Sequence, residues 1–114
     1  MPKVFVIQNQ MQQNADGNLE PKFDFSRAKE YGDIQFVVPN AVTPWSIDKP
    51  EVRSLIEKNM EEFSSEDYLL LVGNPVIISA VVVIAALQTE EGQSIKMLQW
   101  HGKDRKYVPI TFTP

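Results

Sequence analysis

The residues DYLLLVGNP at positions 67–75, followed by VIISAVVVIAALQTEEG at positions 76–92, decide the fold class of this chain. The uncharged run from Tyr68 to Val72 is typical of a β-strand that is covered on both faces. The Gly73-Asn74-Pro75 turn then starts a helix, because Asn74 can cap the first turn and proline fits a first helical position, which needs no N–H donor. We predict that this helix ends near Gly92, since glycine is common just beyond helix ends. A strand-turn-helix unit of this kind indicates an α/β core.

The helix predicted at about 75–90 has almost no polar face. Its β-branched residues favour a strand, whereas its length, its Asn-Pro start and its glycine stop favour a helix. The apolar run from Val76 to Leu87 is shorter than the roughly 20 residues that cross a bilayer, so we expect no membrane segment. A helix that is apolar all round must be sandwiched inside the domain or buried against another subunit. The sequence therefore leaves a homo-oligomer, such as a homodimer, open.

The composition is ordinary for a soluble globular chain and is compatible with a reducing compartment. With 114 residues and 43 % apolar residues, we expect one domain over residues 1–114. The net charge of −4 argues against a protein whose whole surface binds a phosphate backbone. The chain has no cysteine, which excludes disulfides, thiolate metal sites and cysteine nucleophiles. No secretory signal is visible, and we expect a cytoplasmic protein.

The other segments complete a small α/β domain. The Gln- and Asn-rich segment 8–18 is predicted to be an exposed loop or loose hairpin, or alternatively a mobile flap over a site. One helical turn is expected near Ser26, and Trp45 is expected to pack over the core edge. The further strands run Val4 to Ile7, Ile34 to Val38, Ile95 to Trp100 and Tyr107 to Phe112. The predicted fold is a sheet of about five strands with a parallel centre, a C-terminal antiparallel hairpin and two main helices.

The first main helix is predicted from Asp48 to Phe63. Asp48 and Glu51 have the spacing of a capping box, and apolar residues recur at helical intervals along one side. The opposite side is rich in acids. We interpret it as a solvated face, with an acidic docking surface for a basic partner as the alternative.

Two places could bind a ligand or a partner. Gly73 and Asn74 follow a parallel strand and precede a helix, where open α/β sheets bind ligands and where helix N–H groups favour an anion. The chain has no glycine-rich dinucleotide fingerprint and no phosphate-loop lysine, and Pro75 removes one donor. A nucleotide or phosphate site and a purely structural turn both remain possible at this point.

The second place is the C-terminal hairpin, which contains the bases Lys96, Lys103, Arg105 and Lys106 with a single acid in its turn, Asp104. Basic groups beside Trp100 and Tyr107 suit contact with a partner, including nucleic acid. They equally suit a plain edge hairpin in which the aromatic residues pair across the strands.

The sequence contains no recognisable catalytic or metal-binding constellation. His101 is the only histidine, so that a histidine metal cluster is excluded, and no nucleophile-elbow motif supports a Ser-His-Asp arrangement. We interpret His101 as an exposed turn residue of the hairpin surface. No cofactor is predicted, and the question of an enzyme stays open, with a non-enzymatic protein favoured.

The segment from Phe63 to Pro75 resembles small tailed-bacteriophage accessory proteins of unknown function, as do Met97-Leu98-Gln99-Trp100 and Arg105-Lys106-Tyr107-Val108-Pro109. The resemblance implies a viral protein that works in a bacterial cytoplasm, and it brings no catalytic residues. The leading hypothesis is a protein that binds a host or viral protein through the surface of Trp100, His101, Lys103, Arg105 and Tyr107. The alternatives are a nucleotide- or phosphate-binding protein using the Gly73-Asn74-Pro75 turn, and a nucleic-acid binder using the hairpin.

Overall fold

The computed structural model describes residues 1–114 as seven strands, two α-helices and two short 3₁₀ segments. The bounds are β1 Lys3–Gln8, β2 Met11–Gln13, β3 Leu19–Pro21, a first 3₁₀ segment Ser26–Tyr31, β4 Asp33–Val38, a second 3₁₀ segment Pro44–Ser46, α1 Pro50–Asn59, β5 Tyr68–Leu70, α2 Pro75–Gln88, β6 Ile95–His101 and β7 Lys106–Phe112.

Five strands form the main sheet in the order β4-β1-β5-β6-β7, and β2 and β3 form a separate two-stranded sheet. The first four strands in that order are parallel, and β7 is antiparallel to β6. The predicted fold class is therefore confirmed, including the parallel centre and the C-terminal hairpin. β1 lies between β4 and β5, so its connection to β4 runs in the opposite direction to the later connections. Because parallel crossovers are right-handed, this reversal places the first 3₁₀ segment on one face of the sheet and both helices on the other.

The helix face of the sheet, which carries Phe5, Ile7 and Leu69, is covered by α1 and α2. α1 buries Val52 and Ile56 there, and α2 buries four of its own residues. This cluster of 14 buried residues forms the larger core, and the ring of Phe63 meets that of Phe5 edge-on at 5.4 Å.

The open face of the sheet carries Val4, Val6, Leu70, Leu98 and Tyr107. Only the first 3₁₀ segment and the residues just before it cover this face, and they contribute two buried residues, Phe25 and Ala28. This smaller cluster leaves the outer part of β6 and β7 uncovered.

The predicted start of α2 is confirmed, whereas its predicted end is wrong. The Asn74 side chain accepts a hydrogen bond from the Val76 N–H at 2.9 Å. The helix ends at Gln88, and Thr89 closes it by donating both its N–H and its hydroxyl to Ala85 O. Gly92 lies in the following turn, with φ of 84°.

The other helix is shorter than predicted at both ends. Its N-cap is Lys49 without a side-chain bond, so the expected capping box between Asp48 and Glu51 does not form. Pro50 at the first position sets the start instead. Met60 closes the helix, and Phe63 reaches the core from the turn that follows.

Two further expectations differ from the structure. β5 ends at Leu70, because the Val72 N–H donates back to Leu70 O at 2.9 Å and turns Leu71 outward. Trp45 does not pack over the core edge, since 88 % of it is exposed. By contrast, the segment 8–18 does supply the first strand and the turn of a hairpin whose second strand is β3, and Asn14 holds the turn through its Oδ1.

Candidate functional site

A groove of about 640 Å³ crosses the open face beside Trp100. It lies at the carboxyl ends of β5 and β6, where open parallel sheets bind ligands. One wall comes from the residues around the first 3₁₀ segment and the other from the C-terminal hairpin. We call it the Trp100 groove; its lining residues are Phe23, Asp24, Ser26, Arg27, Leu70, Leu71, Val72, Leu98, Gln99, Trp100, Arg105 and Tyr107.

The apolar part of the groove is built by two strands and one aromatic pair. Leu70 and Leu98 are buried in its floor, while the outward turn after β5 brings Leu71 to its surface. The Trp100 and Tyr107 rings, opposite each other in the register of β6 and β7, meet edge-on with centroids 4.9 Å apart. The predicted cross-strand pair is thus confirmed. Tyr107 is buried, whereas 43 % of Trp100 is exposed, so the indole offers a preformed apolar surface.

Tyr107 also fixes the two walls of the groove relative to each other. The Tyr31 hydroxyl donates to the backbone oxygen of Tyr107 at 2.8 Å and so ties the 3₁₀ segment to the hairpin. Burial raises the pKa of the Tyr107 phenol above its ordinary value of 10.0, and the nearby Asp24 carboxylate adds to the shift. The phenol is therefore neutral at physiological pH.

The charged groups of the groove leave two cations without a partner. The two ion pairs between permanently charged side chains are Lys3–Glu62 and Arg53–Glu57, and neither includes Arg27 or Arg105. The one carboxylate of the groove, Asp24, accepts the Ser26 N–H at 2.9 Å. This bond lowers the pKa of Asp24, with smaller contributions from Lys29 and Arg27. The groove therefore combines an apolar floor with two unpaired guanidinium groups.

Arg105 is the only residue other than glycine with a positive φ, at 50°. A side chain in this left-handed conformation costs about 1–2 kcal/mol relative to glycine. Glycine would suit the turn better, and the turn nevertheless carries an arginine that lines the groove. Strain of this kind is common at binding sites.

The structure brings together only part of the predicted hairpin surface. Trp100, Arg105 and Tyr107 line the groove, whereas His101 and Lys103 lie outside it. His101 Nδ1 accepts the Asp104 N–H at 3.3 Å and so braces the hairpin turn. Lys96 lies away from the turn, where its Nζ stands 4.4 Å from the centroid of the Tyr68 ring.

The sequence did not indicate the residues of the other wall, above all Phe23, just before the first 3₁₀ segment, and Arg27, within it. The alternation of Phe23 and Phe25 with charged residues was the available signal. Phe25 is buried against the sheet, and Phe23 is left exposed in the groove. Nothing local in the sequence places this segment opposite the hairpin, since that follows from the strand order.

The Gly73-Asn74 turn lies at the switch point of the sheet, between the carboxyl ends of β1 and β5, where the connections from these two neighbouring strands leave in opposite directions. The side chain of Gln8 fills this position. Gln8 is buried; its Oε1 accepts the Asn74 N–H at 3.1 Å, and its Nε2 donates to Val42 O at 3.0 Å. A Cβ added to Gly73 would lie 2.6 Å from Gln8 Cβ, so the glycine is explained by this close approach. The Val76 N–H is already bound to Asn74. An anion at this turn would have to displace these acceptors, and the nucleotide site stays a prediction.

Two structural findings concern metals and membranes. No group of three or more His, Cys, Asp or Glu side chains is placed to hold a metal ion. Neither helix has the length and apolar content that a membrane span requires.

Comparison with known proteins places the whole chain in a viral family. Residues 2–114 match the family described as Phage Pam3 gp32-like protein. The chain belongs to this family. The match extends over nearly the whole sequence and confirms that this is a bacteriophage protein, as the resemblance of its C-terminal half implied. No curated protein and no solved structure gives a significant match.

Proposed function

We propose that this phage protein is an accessory factor that acts in the cytoplasm of the infected bacterium by binding another protein, of host or viral origin, through the Trp100 groove. The observation that carries the proposal is the combination of an exposed indole with two unpaired arginines in one groove. Tryptophan and arginine are the residues most often found at the energetic centres of protein interfaces.

The chemistry of the groove indicates what kind of segment it accepts. The groove favours an apolar side chain, because burying such a group against the partly exposed Leu71 and Trp100 removes apolar surface of both molecules from water. Arg27 and Arg105 favour a carboxylate, since guanidinium groups bind carboxylates through two parallel hydrogen bonds. The proposed partner therefore presents an apolar residue next to an acidic one.

The walls of the groove are already held in place. The bond from Tyr31 to Tyr107 O joins the two sides, and the edge-on contact with Tyr107 holds the Trp100 indole, before a partner arrives. Binding then costs little ordering of the site, which favours affinity at a given contact area.

The experiment that tests the proposal is capture of partners from bacterial lysate, before and after phage infection, with the tagged protein and its variants. Wild-type protein is expected to retain a stoichiometric protein partner after nuclease treatment. Trp100→Ala should weaken this binding by roughly 30-fold, the effect of losing one interface centre. Arg105→Glu should weaken it further, because a carboxylate would then face a carboxylate.

Lys103→Glu is the matched control, since it reverses a charge in the same hairpin turn but outside the groove. It should change the affinity less than about threefold, as expected for a charge at an interface rim. Equal losses with Lys103→Glu and Arg105→Glu would contradict the groove. Captured proteins that disappear with nuclease would indicate nucleic-acid binding through the hairpin instead.

A further inference from the structure

An uncharged helix surface lies on the other side of the molecule from the Trp100 groove. α2 contains no charged residue between Pro75 and Gln88. Although its inner side is buried in the core, Val76, Val83 and Leu87 are 49 %, 57 % and 72 % exposed. With Ala80 they form the α2 stripe, which recurs at intervals of four, three and four residues. This is the spacing of a seam that packs against another helix.

The surroundings of the stripe extend its apolar character. The α2 stripe borders a groove of about 300 Å³ between α2 and α1, whose lining includes Ile47, Ile56 and Arg53. Arg53 is held in an ion pair with Glu57 at 2.9 Å. The one hydroxyl on this side, that of Ser79, donates to Pro75 O at 2.8 Å. Arg53 and Ser79, the two polar residues that line this groove, therefore each have a partner within the chain. The stripe itself offers an occupant only apolar contacts.

The order of residues in the stripe makes it complementary to itself. Its positions are symmetric about the midpoint between Val81 and Val82, because Val76 and Leu87 are equally distant from that point, as are Ala80 and Val83. A two-fold axis through the midpoint places Val76 opposite Leu87, and Ala80 opposite Val83, of an antiparallel copy. Such an interface uses the same surface on both subunits, as homodimers do.

A dimer through the α2 stripe has to meet the size of a small protein interface. Small standard interfaces bury about 1,200 Å² in total, half from each partner. α2 is about 21 Å long at 1.5 Å per residue. Trp45, two residues before the groove residue Ile47 in the chain, is exposed, and an aromatic side chain that joins an interface buries about 150–250 Å².

We propose that two copies of this chain form an antiparallel dimer through the α2 stripe, with Val76 of each copy against Leu87 of the other. The central approach is close because Ala80 is small. The dimer leaves both Trp100 grooves free, so that each copy retains its own binding site.

Sedimentation velocity over a concentration series from low micromolar to several hundred micromolar tests the dimer. The mass is expected to rise towards twice the monomer value of 13.0 kDa. Leu87→Glu should weaken dimerisation at least about hundredfold, because it buries an unpaired charge. Leu19→Glu is the matched control, since Leu19 is a similarly exposed leucine, at 66 %, in a different part of the fold. It should leave the dimer unchanged.

Cysteine cross-linking tests the orientation in a chain that has no cysteine of its own. Val76→Cys combined with Leu87→Cys should give a covalent dimer on oxidation. Either substitution alone should not, because the same residue of an antiparallel copy lies about 16 Å further along the helix, beyond the reach of a disulfide. A monomer at every concentration would overturn the proposal. So would equal effects of Leu87→Glu and Leu19→Glu, or cross-linking of Val76→Cys alone.

Discussion

The two faces of the five-stranded sheet differ in what covers them. Two α-helices close the helix face over 14 buried residues, whereas a six-residue 3₁₀ segment closes part of the open face over seven. The same strands serve both sides, since β1 buries alternate residues on each. Most of the stability therefore comes from the helix face, and the open face can leave Trp100 and Arg105 free for a partner.

The greatest loss of stability is predicted for one of two neighbouring leucines of β5. Leu69 points to the helix face and Leu70 to the open face, and both are buried. Leu69→Ala should lower the free energy of unfolding by about 4 kcal/mol, because the cavity lies in a closed core. Leu70→Ala should cost about 2–3 kcal/mol, because water can enter from the groove. Urea denaturation measures both, and equal losses would remove the distinction between the faces.

A second prediction concerns the switch point where the connections to the two faces diverge. Gly73→Ala should destabilise the fold by about 2–3 kcal/mol, because the new methyl group meets Gln8 in a backbone conformation that favours glycine. Gly92→Ala has a positive φ but open space around it, and should cost about 1 kcal/mol. Thermal unfolding distinguishes them. A Gly73→Ala protein as stable as Gly92→Ala would mean that Gln8 moves aside readily.

The third prediction separates stability from binding on the open face. Trp100→Ala should lower the free energy of unfolding by no more than about 1 kcal/mol, since its ring is only partly buried against Tyr107. Its effect on partner capture should be much larger, as proposed above. A Trp100→Ala protein that unfolds as readily as Leu69→Ala would make the indole a core residue instead.

The smallest effect is the pH dependence of one surface ion pair that joins the start of β1 to the turn after α1. Lys3 Nζ donates to the Glu62 carboxylate at 2.6 Å, which lowers the Glu62 pKa below its ordinary 4.5 and raises the Lys3 pKa above 10.5. Because the folded carboxyl binds its proton less tightly, the stabilisation is present above pH 4.5 and is lost as the pH falls through the folded pKa. On the basic side, it is present below pH 10.5 and lost as the pH rises through the folded pKa of Lys3.

Melting temperature as a function of pH, with Glu62→Gln and Glu61→Gln, measures this contribution. Glu62→Gln should lower the melting temperature slightly at neutral pH and have no effect in acid. Glu61→Gln, which removes a neighbouring acid outside any ion pair, should not differ from wild type. If the melting temperature of Glu62→Gln is still lower than that of wild type at a pH below the folded pKa of Glu62, the substitution has removed packing and not charge.

Local signals in the sequence predict most of the elements. Asn74 and Pro75 set the start of α2, and the uncharged run before them gives β5, because these signals act within one turn or strand. Element ends are less predictable. Thr89, not Gly92, ends α2, and a backbone bond from Val72 to Leu70 shortens β5, since hydrogen bonds among neighbours compete with the expected stops.

The site is predictable only in part, because it depends on the order of the strands. The sequence indicates the hairpin residues Trp100, Arg105 and Tyr107. It does not indicate that Phe23 and Arg27, more than 70 positions earlier, form the opposite wall. The position of Gln8 at the switch point is equally unpredictable from local sequence. Its side chain makes three hydrogen bonds, all to residues far away in the chain, and nothing near Gln8 in the sequence indicates them.

The most direct test of the open face as the binding surface is hydrogen exchange of the captured complex compared with the free protein. Partner binding should slow exchange in residues 22–27 and 98–107, the two walls of the Trp100 groove. Exchange in α1, Pro50–Asn59, should not change. Protection confined to α1 would mean that the partner does not bind the open face and would favour the acidic helix surface as the docking site.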